Sequence, residues 1–85
     1  MSAVVETKAL LRDLQKQITH QISEVSSGWW NVDARIGQVK IVSVQNNVLK
    51  VFHQGECHVW MGGAAIRQHA NDIIQLVKSN FVQNQ

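Results

Sequence analysis

The sequence predicts a two-layer α+β domain in which an N-terminal helix, a three- or four-stranded antiparallel meander and a C-terminal helix follow one another as α-β-β-β-α. Three observations predict it. Apolar residues recur at helical spacing towards both ends of the chain, and the middle is rich in β-branched and aromatic residues cut by two-residue turn signals. Glycines stand at the joints between these stretches, and proline is absent.

The first helix is expected from Ser2 to about Val25. Val4, Leu11, Leu14, Ile18, Ile22 and Val25 recur at its period, Val5 and Leu10 widen the stripe, and Glu6, Lys8, Arg12, Asp13, Lys16, Gln17 and Glu24 fall outside it. Ser26-Ser27-Gly28 closes it, because glycine takes the left-handed conformation that ends many helices. Trp29 to Ile36 supplies the fourth strand if it pairs, with Trp30, Val32, Ala34 and Ile36 on one face and Gly37 bending the chain onward. Three strands follow at Val39–Val44, Val48–His53 and Cys57–Met61. Asn46-Asn47 suits a type I′ turn, since asparagine tolerates positive φ, and Gly55-Glu56 suits type II′, which wants glycine first. After Gly62-Gly63 the second helix carries Ile66, Ala70, Ile73, Ile74, Val77 and Phe81 on its apolar side, and the tail frays over residues 82–85.

Tight turns set the register. Val44 is expected opposite Leu49, Val42 opposite Val51, Lys40 opposite His53, His53 opposite His58 and Val51 opposite Trp60. One face of the meander then holds Val42, Val44, Leu49, Val51 and Trp60, with Lys40, His53 and His58 at one end; the other holds Val39, Ile41, Val48, Phe52, Cys57, Val59 and Met61, interrupted by Ser43 and Lys50. Both faces are apolar, unlike a sheet with one wet side. Three strands at about 4.8 Å span roughly 14 Å, whereas two helices of about 10 Å need roughly 20 Å. Both helices share one face only if the fourth strand forms, and the other face is then bare and calls for a second copy. If instead each helix takes its own face, the first helix becomes the docking surface. The interface candidates are therefore Val42, Val44, Leu49, Val51 and Trp60 on the sheet, Leu11, Leu14 and Ile18 on the helix, and one of Trp29 and Trp30, which as neighbours on a strand point opposite ways.

Composition narrows the function classes. Eighty-five residues, 45% apolar and 16% charged, make one domain over residues 1–85 and exclude wholesale disorder. No run is long and apolar enough for a membrane span. The start Met1-Ser2-Ala3-Val4-Val5-Glu6 lacks a basic n-region and a long apolar run, and the lone Cys57 cannot form an internal disulfide; both point to the cytoplasm. His53-Gln54-Gly55-Glu56-Cys57-His58 gathers ligand-type side chains, but Cys57 falls on the opposite face from the two histidines, so the segment reads as two half-exposed histidines with Cys57 as a small core residue. No catalytic, metal or cofactor site is assigned. Gly62-Gly63 lacks the spacing and the lysine of a phosphate-binding loop.

The order α-β-β-β-α resembles that of double-stranded RNA-binding domains, at the level of topology alone. Those domains grip phosphates with lysines at the start of the last helix, where this chain has Gly63-Ala64-Ala65-Ile66-Arg67. The resemblance and the cations Lys8, Arg12, Lys16, Arg67 and Lys78 make RNA or DNA binding the alternative reading, against a net charge of only +2. The main expectation is a small non-enzymatic interaction module, a homodimeric adaptor or regulatory subunit.

Overall fold

A helix this short holds its place through the face it buries. In the structure of the protein, a computed structural model that describes residues 2–19, 21–34, 37–41, 44–53 and 55–82, the first helix α1 spans Ala3–Gln17 and buries Ala3, Thr7, Leu10, Leu11 and Leu14. Its stripe is rotated from the expected one: Val4 and Val5 face solvent. The helix is also shorter. Ile18 is already extended (φ −128°, ψ 155°), and Ile22–Ser26 forms strand β1. The spacing of Ile18, Ile22 and Val25 fits a helix, but β-branched Ile18, Thr19, Ile22 and Val25 lose little by being extended, and pairing with a tryptophan-rich strand decides the outcome. Gly28 does take positive φ (+74°), in the turn of a hairpin rather than at a helix end.

Trp29–Ala34 forms β2, Gly37–Ile41 β3, Val48–His53 β4 and Glu56–Met61 β5. Among the described residues these make one antiparallel sheet in the order β1-β2-β3-β4-β5. The possible fourth strand is therefore real, and β1 adds a fifth; Ile36, its expected end, lies outside the described residues. Asn46 and Asn47 adopt φ of 54° and 62°, the type I′ geometry, and Gln45 bridges Val48.

Two registers differ from expectation. In the second hairpin His53 pairs with Glu56, Val51 with His58 and Leu49 with Trp60, so Gly55 (φ +83°) is the second turn residue rather than the first, and the two histidines are not opposite each other. A slip of two leaves every side chain on its expected face. Between β3 and β4, Ile41 rather than Val42 stands opposite Val51, and Lys40 stands opposite Phe52 rather than His53. The chain from Ile41 to Gln45 is one residue longer than the facing stretch from Val48 to Val51, a count that turn chemistry alone does not reveal. Val42 itself lies outside the described residues.

The C-terminal helix is broken once. Gly63–Gln68 forms α2 and Ala70–Val82 forms α3, with His69 (φ −102°, ψ 17°) at the joint. The His69 N–H still donates to the Ala65 carbonyl (3.0 Å) and its carbonyl accepts from Ile73 N–H (3.0 Å), so the two pieces remain coupled. The tail from Gln83 lies outside the described residues.

Leu10, Leu11 and Leu14 of α1, Ile66 of α2 and Ile73, Ile74 and Val77 of α3 share one core with Trp30, Val32, Leu49 and Val51. The helices therefore all lie on one face of the sheet, and each large apolar side chain buried there contributes about 1.5–3 kcal/mol. Asn47 holds both helix starts to that arrangement. Its side-chain Oδ1 accepts the N–H of Ala3 (3.0 Å), one of the α1 donors that Ser2 leaves without a side-chain cap, and its carbonyl accepts the N–H of Gly62 (2.8 Å) at the entry to α2. Replacing Asn47→Gly keeps the turn and removes the hydrogen bond to Ala3, and is expected to cost about 1 kcal/mol in urea unfolding. Asn47→Ala adds the strain of positive φ and is expected to cost roughly 1–2 kcal/mol more. A neutral Asn47→Gly contradicts the capping role.

Candidate interaction surfaces

The one-sided helix layer decides which expected site residues are surface. Leu49 and Val51 are fully buried under the helices, and Trp60 and Val44 are half-buried against the same core. Leu11 and Leu14 are core residues too, with Ile18 half-buried beside them. This face of the sheet and this stripe of the helix cover each other. Trp30 is buried in the same core, and Trp29, its neighbour, is half-buried at the β1–β2 turn.

The outer face is a different surface. Its β4–β5 corner carries the cross-strand pairs Val48–Met61, Lys50–Val59 and Phe52–Cys57. Val48 is half-buried, Phe52 is 37% exposed, Val59 49% and Met61 74%. Cys57 is an exposed free thiol rather than the expected core residue, because nothing in the helix layer reaches its side of the sheet. Exposure rises from β4, flanked by strands on both sides, to β5, flanked on one, so these apolar side chains lack the neighbour that a further strand would supply. On β2 the same face offers the polar Asn31, so the apolar patch belongs to one corner.

The two sheet edges are unlike. β1 carries Glu24 and has a register irregularity between Glu24 and Ser26, both devices that discourage further strand pairing. β5 pairs with β4 without interruption from Glu56 to Met61, and its charge, Glu56, sits at the turn end, 3.4 Å from His58. The Gly62 N–H to Asn47 carbonyl bond sets the phase of the ladder: even-numbered β5 residues bond to β4, and Cys57, Val59 and Met61 turn their backbone N–H and C=O groups outwards.

A second surface lies on the helix side. Lys8, Leu11, Arg12 and Gln15 of α1 and Ile22, Glu24 and Trp30 of the sheet line an open groove of about 360 Å³. Gln15 Oε1 accepts the N–H of Ile22 (3.0 Å) and ties its wall to its floor. Arg12 also lines a second open depression with Asp13 and Lys16, so Lys8, Arg12 and Lys16 are gathered along one side of α1. Arg67 is exposed on α2, outside both surfaces, and Lys78 donates to Gln17 Oε1 (3.0 Å).

The described members of the expected sheet site, Val44, Leu49, Val51 and Trp60, therefore lie on the covered face, and Val48, Phe52, Val59 and Met61 lie on the uncovered one. Their alternation marks them as one face; which face the helices cover is set by packing that the alternation does not encode. Among the described residues no group of three potential metal ligands converges, and no helix is long and apolar enough to cross a membrane. Neither a family model, a curated protein nor a solved structure matches the chain.

Proposed function

We propose that this protein is a small non-enzymatic interaction module, a cytoplasmic adaptor or regulatory subunit, that associates with a second copy of itself through the outer corner of β4 and β5. The observation that carries this reading is the exposure of Phe52, Val59 and Met61 on one sheet corner, around the exposed Lys50 that pairs with Val59. An apolar patch on so small a domain, even one interrupted by Lys50, marks an association surface, since water around it disfavours the free monomer. The thiol adds two supports. Cys57 is exposed and free, which a reducing compartment preserves. It also faces away from the helices, whereas His58 pairs with Val51 on the helix side, so the thiol and the imidazole next to it do not form a nucleophile and base. Sedimentation equilibrium up to about 0.5 mM is expected to show mass rising towards twice 9.6 kDa, and Val59→Lys to hold the chain at 9.6 kDa with its far-UV circular dichroism unchanged. A wild-type mass of 9.6 kDa throughout overturns the reading.

Nucleic-acid binding is the second reading, and the gathering of Lys8, Arg12 and Lys16 along α1 favours it. Glu24 and Asp13 line the same surfaces and weaken the field that phosphates would meet. Fluorescence anisotropy with double-stranded RNA or DNA is expected to give only weak, non-specific binding, with a dissociation constant above about 1 μM. Tight binding that falls steeply with salt and is lost in Arg12→Glu would put nucleic acid in first place.

A further inference from the structure

We infer that the second copy docks strand to strand: β5 pairs antiparallel with β5 of a two-fold-related chain, Val59 opposite the partner's Val59, and the two sheets become one. The inference rests on the homotypic reading above and names the contact it uses. A two-fold axis through such a seam runs perpendicular to the sheet and keeps inner faces inner, so residues opposite each other must share a face. Registers centred between two residues are thereby excluded. Of the registers centred on a residue, the one centred on Val59 sets Cys57 against the partner's Met61 and Val59 against the partner's Val59. Every outward N–H and C=O of Cys57, Val59 and Met61 then finds a partner, as the phase of the β4–β5 ladder requires. Moving the centre to His58 or to Trp60 carries Met61 or Cys57 past the end of the facing strand and leaves its backbone groups unpaired.

The side chains agree with this register. The seam joins apolar to apolar on the outer face, and on the inner face His58 meets the partner's Trp60, the ring type it already stacks on within its own chain at a centroid distance of 6.4 Å. Glu56 falls opposite glycine, so no like charges meet. The new strand also gives Val59 and Met61 the second flanking neighbour whose absence their exposure records. A six-residue strand makes a seam of about 20 Å, small for a stable interface, so the dimer is best trapped covalently.

Directly opposed, hydrogen-bonded residues have Cα atoms about 5.5 Å apart, within disulfide reach. Under mild oxidation Met61→Cys, with Cys57 retained, is expected to give a disulfide-linked dimer through the partner's Cys57. Val59→Cys combined with Cys57→Ser is expected to do the same across the axis. Ser23→Cys with Cys57→Ser, on the guarded β1 edge, is expected to remain monomeric on a non-reducing gel. Both altered β5 side chains are exposed, and the two variants test the register independently. A wild-type chain that sediments as a dimer while neither β5 variant cross-links faster than Ser23→Cys overturns the strand pairing and leaves homotypic association standing. A chain that sediments only as a monomer removes both.

Discussion

The structure depends on its helices all packing on one face of the sheet. That face needs them, since Trp30, Val32, Leu49 and Val51 lose their contact with water only beneath Leu10, Leu11, Leu14, Ile66, Ile73 and Val77. Five strands at about 4.8 Å spacing span roughly 24 Å, wide enough for helices side by side. Asn47 enforces the arrangement locally, because the turn between the strand segments ending at Gln45 and starting at Val48 bonds to the first residue of one helix and to the entry of the next. Leaving the other face bare is the direct consequence.

Much of the meander was legible from short-range chemistry. Asn46-Asn47 specifies a turn that few other pairs tolerate, and the period-two pattern of Val48–His53 and Glu56–Met61 places Leu49 and Val51 on one side and Phe52 and Val59 on the other whatever the exact pairing. Ile22–Ser26 was not legible as a strand, because Ile18, Ile22 and Val25 satisfy a helical period and only the hairpin pairing with Trp29–Val32 overrides it. Two adjacent turn choices, Gly55-Glu56 or Gln54-Gly55, likewise satisfy local rules equally. The break at His69 leaves no mark in the apolar spacing, since Ile66, Ile73 and Val77 remain in phase across it.

The surface was legible in part for the same reason. Alternation groups Val48, Phe52, Cys57, Val59 and Met61, and width arithmetic says that a fourth strand leaves one face uncovered; choosing the face requires knowing where α1 and α2 cross the sheet. The basic side of α1 was more direct, since Lys8, Arg12 and Lys16 are one turn apart and fold into neighbouring surfaces. The two edges of the sheet then divide the labour. β1 combines a charge with an irregular ladder, and β5 presents an uninterrupted ladder beside the apolar corner, so the regular edge and the exposed apolar side chains lie on one side of the sheet.

Residue-resolved amide hydrogen exchange across a dilution series tests this account most directly, because neighbouring β5 amides face opposite ways. The His58 and Trp60 amides bond to β4 and are expected to stay protected at every concentration. The amides of Cys57, Val59 and Met61 are expected to be protected only in concentrated solution and to exchange rapidly on dilution, while those of β1 do not change with concentration. Exchange of the Cys57, Val59 and Met61 amides at one rapid rate across the whole series would contradict it.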